Sequence, residues 1–416
     1  MPAISGQCRT EALTACRGAD VIPGARNISL LAASQALVLS AVVLSMTLAG
    51  VLGAQLAPDK GLATLPIAAM VVGTALCSIP ASLLMRRIGR RAGFMVGAVL
   101  GIVGSALAAF GLYAQSFALF VLGHLLIGGF QGFANYFRFA AAESAGPQHA
   151  SRAISWVVAG GVVAAFAGPQ FAVWGRDWLP QHAFLGSYVA QVVLTLLVMF
   201  LLSWLDLPQR PAAASEAARP LREISAQPGL RAAVVGAAVG YAVMIMAMTA
   251  TPLAMLGCGF GAAEVKPVIQ WHVFGMFVPS FFTGGLVARF GAPRVMQVGF
   301  VLLLGHVAVA ASGNAFVHFV SALVLLGVGW NFTFVGGTAL LTQSYRSSEQ
   351  TKVQALNEGL VFGLVALGSL GAGWLYDRFG WATLNLATLP LLVLALIWTT
   401  RAAGRMRAAS AASRLT

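Results

Sequence analysis

Apolar residues run along this chain in long blocks, and short polar stretches separate one block from the next. Each block holds about 20 residues or more, the length that an α-helix needs to cross a hydrocarbon layer roughly 30 Å thick. We therefore predict an all-α polytopic membrane protein with twelve transmembrane helices, at residues 28–57, 62–85, 93–114, 116–141, 153–175, 183–205, 230–257, 266–288, 294–313, 316–343, 353–376 and 381–400.

One long polar connection, rich in proline, alanine and charged residues, separates six predicted helices from the other six. The first apolar block is too long to be the core of a cleaved signal peptide, so we expect it to remain as the first helix. The predicted organisation is an N-terminal tail at 1–26, a six-helix bundle at 27–205, a linker at 206–228, a second six-helix bundle at 229–400 and a C-terminal tail at 401–416.

The two halves carry similar residues at an offset of 200 positions. Several coincidences at one offset indicate an internal repeat. Parallel six-helix repeats describe one class of secondary transporter, in which the solute is held between the halves. The matching pairs are Arg152 with Lys352, Gly168 with Gly368, Trp174 with Trp374, and Asp177 with Asp377.

Charge placement predicts the orientation in the membrane. Hydrophobic residues make up 59% of the chain and charged residues 9%, and the net charge is +13. With both termini in the cytosol, twenty of the 25 lysines and arginines fall on the cytosolic side and four on the other, which satisfies the positive-inside rule. The positive charge therefore indicates a protein of the cytoplasmic (inner) membrane and does not indicate binding to nucleic acid. Arg138 is the one cation that this count assigns to neither side.

Sequence motifs of enzymes are absent. No phosphate-binding G-x-x-x-x-G-K-[ST] loop and no nucleophile–base constellation occurs, so we expect neither ATP hydrolysis nor other catalysis. The four cysteines have no metal-like spacing. We predict no cofactor and no metal; the expected partners are a small solute, a coupling ion such as the proton, and the lipid bilayer, and we expect a monomer.

Two similar segments follow predicted helices 2 and 8: "SLLMRRIGRR" at 82–91 and "GGLVARFG" at 284–291. With these segments the chain resembles the major facilitator superfamily, whose loop signature is G-x-L-x-D-R-x-G-R-R with a second copy later in the chain. Arg86 and Ala288 replace the signature's aspartate. "GWLYDRFG" at 373–380 keeps an aspartate, Asp377. The segments "WHVFGMFVPSFFTG", "MTATPLAM" and "GWNFTFVGGT" resemble a bacterial branch whose substrates are mostly unassigned.

The resemblance implies a central cavity lined by helices 1, 4, 7 and 10. It makes the polar and aromatic residues of those helices candidates for solute binding, with interhelical hydrogen bonding as the alternative role. His272, two turns into helix 8, is a further candidate because its ring can titrate near neutral pH; its alternative role is helix packing. The cavity candidates are Gln35, Gln131, Asn135, Tyr136, Tyr241, Thr249, Trp330 and Asn331.

Five charged residues are candidates for coupling or gating. Arg138 shares a helix face with Gln131 and Asn135; it either reaches the cytosolic headgroups as an anchor or sits at the cytosolic mouth of the cavity, paired with Glu143. Glu358 is either an interfacial carboxylate, a carrier of the coupled proton, or the partner of Arg86 in a latch of reversed polarity. The set is Arg86, Arg138, Glu143, Glu358 and Asp377.

The few fixed charges and many aromatic residues of the expected cavity favour an uncharged or delocalised organic solute. A phosphorylated solute would require two or more facing cations. The prediction is a secondary active transporter, proton-coupled, for a heteroaromatic, vitamin-like compound such as a flavin. The alternatives are a proton-driven exporter of toxic compounds, favoured by Gly168 and Pro169, and a non-transporting membrane sensor or scaffold.

Overall fold

The structure is a computed structural model that describes residues 23–59, 62, 64–179, 181–207 and 219–412. Arg9, Arg17, Lys60, Arg210 and Arg414, which entered the charge count, lie outside these residues, as does most of the tail at 1–26.

The described chain is helical, and most helices are long enough to cross a membrane. Their bounds are α1 Ala25–Leu56, α2 Leu65–Ile88, α3 Arg90–Tyr113, α4 Phe117–Ala134 continued by Phe137–Ala145, α5 Ala150–Ala159 continued by Gly161–Trp174, α6 Leu185–Ser203, α7 Pro228–Gly257, α8 Ala262–Phe277 continued by Ser280–Phe290, α9 Ala292–Ser312 and α10 Phe316–Thr342.

The last helical stretch is two crossings. A membrane-capable segment of 59 residues runs over Gln350–Ala408, about 90 Å as a straight helix and therefore too long for one crossing. The chain turns at Gly380, whose φ of 74° and ψ of 177° are not helical and favour glycine. We name the helix before this turn, 350–379, α11 and the part after it, 381–412, α12. Twelve crossings result, and the predicted fold class is confirmed.

Several predicted boundaries differ from the structure. The C-terminal tail expected from 401 continues as helix to Ala412, because its alanines and arginines are strong helix formers. The expected linker contains a short helix, Leu221–Ala226, and α7 already begins at Pro228. The expected N-terminal tail ends sooner, since α1 begins at Ala25.

Equivalent helices pack in the same way in both halves. In the first half α3 packs on α4, α2 on α4 and α1 on α5; in the second half α9 packs on α10, α8 on α10 and α7 on α11. Across the halves α2 packs on α11 and α5 packs on α8. The offset of 200 in the sequence therefore corresponds to a structural repeat, with the interface between the repeats running through the centre of the bundle.

We call the end of the bundle that carries Arg26, Arg86, Arg90 and Arg91 the arginine-rich end. The start and the end of each half meet there: Arg26 of α1 donates to the Trp204 carbonyl at the end of α6, 3.3 Å away. Gly229 at the start of α7 lies against Met406 near the end of α12.

The linker is fastened at the same end. The Arg219 guanidinium donates from Nε and Nη2 to the two carboxylate oxygens of Glu349, over 2.6 and 2.8 Å. These hydrogen bonds hold the pKa of Glu349 at about 2, so the carboxylate is ionised throughout the physiological range. Glu349 directly precedes α11, so this ion pair attaches the linker to the start of that helix.

Glycine allows α2 and α4 to approach within backbone contact. A methyl group on Gly128 of α4 would collide with the backbone carbonyl of Met70 in α2. In contrast, a methyl group on Gly371 of α11 would meet no atom within 4 Å. Membrane helices rely on such close packing, because the lipid offers no hydrophobic drive for association.

We predict that Gly128→Ala lowers the thermal unfolding midpoint of the detergent-purified protein by several degrees, since overpacking costs about 1–3 kcal/mol. Gly371→Ala is the matched control, and we expect an unchanged or slightly higher midpoint because alanine favours helix. Equal midpoints for the two variants would contradict the packing described here.

Candidate functional site

A narrow cavity lies between the two halves. Its volume is about 50 Å³. This is well below the roughly 300–1,000 Å³ that is usual for small-molecule sites, so the walls stand close together in this state. The lining residues come from both halves: Gln35, Leu39, Gln131, Asn135, Arg138, Val157, Val158, Tyr241, Phe277, Trp330, Phe334 and Phe362.

Aromatic rings from the second half form one wall. Trp330 and Phe334 are stacked with ring centres 4.9 Å apart and an angle of 14° between their planes. Tyr241 stands edge-on to Trp330, Phe334 and Phe362, at 5.2, 5.3 and 5.5 Å. Phe277 of α8 contacts Trp330 at 5.8 Å. Such a wall suits a flat, aromatic solute.

Polar groups without partners face this wall from α4. Nε2 of Gln131 donates to Oδ1 of Asn135 over 3.1 Å, which leaves Gln131 Oε1 and Asn135 Nδ2 without a hydrogen bond among the described residues. Nε1 of Trp330 is unpartnered as well. Buried polar groups are nearly always hydrogen-bonded in proteins, so these three groups are available to a solute or to water.

Arg138 lies beside these groups in a buried ion pair. Its Nη2 donates to Oε1 of Glu358 over 2.6 Å; the Arg138 side chain is 4% exposed and that of Glu358 is fully buried. Asn357 also donates to Glu358 Oε1, over 2.7 Å. Oε2 of Glu358 has no partner among the described residues. The pair joins α4 of one half to α11 of the other.

The backbone of α4 is interrupted where it supports this pair. The amide of Phe139 bonds to the Tyr136 carbonyl, 3.1 Å away and only three residues back, so the Asn135 carbonyl is left out of the helical ladder. Nη1 of Arg138 donates to that carbonyl over 2.7 Å. No proline stands here, and the inserted side chain accounts for the break.

A third hydrogen bond connects the two repeats at equivalent positions. Nε of Arg138 donates to Oγ1 of Thr338 over 3.2 Å, and Thr338 follows Arg138 by 200 residues, the repeat offset. Equivalent residues of two repeats touch only near the axis that relates them. Arg138 therefore lies close to the pseudo-two-fold axis of the molecule.

Four expectations about these charges are wrong. Arg138 is neither an anchor at the headgroups nor the partner of Glu143, because α4 continues to Ala145 and leaves Arg138 about 10 Å from the helix end. Glu358 is not interfacial, since α11 begins at Gln350, about 12 Å before it. Arg86 is exposed and does not form a latch with Glu358.

Glu143 instead belongs to a cluster at the arginine-rich end, which we call the polar latch: Arg90, Glu143, Gln350 and Gln354. Arg90 pairs with Glu143 and also donates to Oε1 of Gln354 over 2.7 Å. Gln350 donates to Glu143 Oε1 over 2.8 Å. The polar latch ties α3 and α4 of the first half to α11 of the second.

Two more hydrogen bonds hold the halves together near this end. Ser82 of α2 donates to the Thr351 carbonyl of α11, and Ser151 of α5 donates to the Gly284 carbonyl of α8, each over 3.2 Å. Asp377 lies exposed at the other end of α11, away from the polar latch and from Glu358.

Four of the predicted solute-binding residues do not line the cavity. The break in α4 turns Tyr136 toward α2, where its hydroxyl donates to the Ser78 carbonyl over 2.7 Å. Asn331 joins α10 to α8 through the Met276 carbonyl and Ser280, and His272 joins the same helices through the Leu323 carbonyl. Thr249 is exposed on α7. Interhelical hydrogen bonds therefore account for Asn331 and His272 in this state.

The remaining predicted residues, Gln35, Gln131, Asn135, Tyr241 and Trp330, do reach the cavity together with Arg138. The wall residues Phe334 and Phe362, and Arg90 as the partner of Glu143, were not predicted. Phe334 could have been found from the sequence, because it follows Trp330 by four residues and so shares its helix face.

The sequence matches one family profile and individual proteins along most of its length. The profile of the Major Facilitator Superfamily matches residues 29–271 and 267–414, which together cover nearly the whole chain. The riboflavin transporter RfnT of Brucella anthropi is 40% identical over 381 residues, covering 91% of this chain and 96% of RfnT. The uncharacterized MFS-type transporter YdeG of Bacillus subtilis is 31% identical over 353 residues, 79% of each chain.

Solved structures share the fold at low sequence identity. The E. coli fucose:proton symporter FucP matches with a TM-score of 0.71 at 17% identity, covering 90% of this chain and 98% of FucP. A bacterial homologue of the iron transporter ferroportin, in an outward-facing state, matches with a TM-score of 0.71 at 13% identity, covering 91% and 99%. With the family profile on both halves and close relatives along most of its length, this chain belongs to the major facilitator superfamily of membrane transporters.

Proposed function

We propose that this protein is a secondary transporter that moves riboflavin, or a close flavin, across the cytoplasmic membrane. The observation that carries the proposal is the central cavity, in which a wall of aromatic rings faces unpartnered polar groups. Flat heteroaromatic rings with polar edges match both features. The likeness to RfnT, a riboflavin transporter in Brucella anthropi, supports the same class of solute.

The charge of the cavity favours riboflavin over its phosphorylated forms. Arg138 is the one cation of the lining, and Glu358 neutralises it. A phosphate group would be attracted by two or more free cations, which the described lining does not offer. The solute that fits is therefore electrically neutral and planar.

The orientation follows from the positive-inside rule, which places the arginine-rich end and both termini in the cytosol. At this end the polar latch and the bonds at Ser82 and Ser151 join the halves, so the state described here is closed toward the cytosol. Transport then proceeds by alternating access, with the halves separating at one end at a time. One chain supplies the whole cavity, and we propose that it works as a monomer.

We propose that the Arg138–Glu358 pair couples transport to the movement of protons. Glu358 is the one carboxylate that contacts a lining residue at the centre of the described bundle, and its Oε2 is unpartnered. A proton bound there would remove its negative charge and leave Arg138 without a counter-ion. An uncompensated charge costs about 2.5–3.5 kcal/mol at the centre of a membrane helix, so protonation and the arrangement of the two halves are linked.

We expect right-side-out vesicles that contain the protein to take up labelled riboflavin saturably, and flavin mononucleotide far more slowly. Tyr241→Leu should raise the KM for riboflavin about tenfold, since losing an aromatic contact costs about 1.4 kcal/mol. Tyr113→Leu, at an exposed tyrosine outside the cavity, should leave the KM unchanged. Equal uptake of the phosphorylated flavin, or none of riboflavin, would count against the proposal.

For proton coupling, we predict that riboflavin uptake acidifies the lumen of vesicles containing the wild-type protein. The double variant Arg138→Met/Glu358→Gln removes both charges together, so that neither stays buried alone, and should exchange riboflavin without moving protons. Glu264→Gln, at an exposed carboxylate at the start of α8, serves as the control and should acidify the lumen normally. Undiminished proton movement in the double variant would refute the assignment.

A further inference from the structure

Three polar groups on the cavity wall form a specific set. Asn135 is 7% exposed and Trp330 is 2% exposed, yet Nδ2 of Asn135, Nε1 of Trp330 and the neighbouring Oε1 of Gln131 have no hydrogen-bond partner in the part of the chain that the structure describes. The set consists of two donors and one acceptor. A buried donor or acceptor without a partner is costly, and a ligand that supplies the partner removes that cost.

One free donor and one free acceptor remain on α4 in either orientation of the two side-chain amides. Gln131 and Asn135 bond to each other over 3.1 Å, through one amide nitrogen and one amide oxygen. If both groups were rotated by half a turn, the bond would run in the other direction and again leave one oxygen and one nitrogen free. This amide pair therefore always presents one donor and one acceptor, and the indole N–H adds the second donor.

A flavin ring carries the complementary pattern along one edge. The pyrimidine part of the ring system has an N–H donor at N3, flanked by carbonyl acceptors at C2 and C4. Two donors and one acceptor on the protein can satisfy two acceptors and one donor on the solute.

We propose that Gln131, Asn135 and Trp330 bind the imide edge of the flavin and determine the specificity of transport. This inference rests on the proposed function and states which part of the solute the cavity recognises. The site would then accept planar heteroaromatic compounds that have an intact imide edge.

The rest of the lining supports recognition at that edge and not at the sugar-alcohol chain of riboflavin. Leu39, Val157, Val158, Phe277 and Phe362 offer apolar surface, which suits the dimethylbenzene part of the ring. Among the described lining residues outside the three-residue set, the Arg138 guanidinium is occupied by Glu358, Asn135 and Thr338, so Gln35 and the Tyr241 hydroxyl remain for the several hydroxyl groups of the ribityl chain. We therefore expect the ribityl chain to contribute little to affinity.

The experiment compares three ligands on the purified, full-length protein by titration calorimetry. Riboflavin is the reference, lumiflavin has the same ring without the ribityl chain, and 3-methylriboflavin has lost the N3 donor. We expect lumiflavin to bind within about threefold of riboflavin and 3-methylriboflavin at least about tenfold more weakly, since a site built to hydrogen-bond a group rejects the analogue that lacks it.

Two variants test the assigned residues. The double variant Gln131→Met/Asn135→Leu removes the amide pair and with it the acceptor for the N3 donor, so riboflavin and 3-methylriboflavin should bind with similar affinity. Trp330→Phe keeps an aromatic ring without the N–H, and should weaken riboflavin and lumiflavin to the same degree. Thr249→Val, on the exposed side of α7, is the control and should retain the affinities and the ligand order of the wild type.

The outcomes separate this inference from the proposed function. Suppose that the wild type binds riboflavin but binds 3-methylriboflavin equally well, or does not bind lumiflavin. Recognition of the imide edge is then overturned, while flavin transport stands. If the correctly folded wild type binds none of the three ligands, the proposed function itself is overturned, and the inference with it.

Discussion

The buried ion pair between Arg138 and Glu358 is the constraint on which the central arrangement depends. Two full charges in the middle of a membrane protein are stable only when they neutralise each other and their remaining hydrogen-bonding groups are mostly satisfied. The chain meets this requirement by breaking α4, which exposes the Asn135 carbonyl to the guanidinium, and by placing Thr338 of the other repeat at Nε. Asn357 supplies a further donor to the carboxylate.

The same pair explains the character of the cavity. Because its lining cation is paired with Glu358, we expect the space between the halves to attract neither phosphate nor carboxylate, and we propose that the aromatic wall and the unpartnered amide groups select the solute. The polar latch lies at the arginine-rich end of the same helices, α4 and α11. Binding in the cavity and closure at that end therefore act on the same two helices.

The sequence predicted the helices and the repeat because both depend on local composition: long apolar blocks, short polar connections and a constant offset. It also predicted the face of α4 that meets the centre, since Gln131, Asn135 and Arg138 recur at helical spacing. On α7 and α10 the outcome is mixed: Tyr241 and Trp330 reach the cavity, whereas Thr249 and Asn331 do not. The partner of Arg138 was predicted wrongly. Glu143 is near in the sequence, but α4 extends further than its apolar block, and the true partner comes from the other half.

The central claim is that Arg138 and Glu358 act as one neutral unit. A double-mutant cycle tests it: thermal unfolding of the wild type, Arg138→Met, Glu358→Gln and the double variant, measured in the same detergent. The account predicts that each single variant is strongly destabilised, by about 3–5 kcal/mol, because one charge stays buried alone, and that the double variant recovers most of the loss. Two single effects that add to within about 0.5 kcal/mol in the double variant would contradict it.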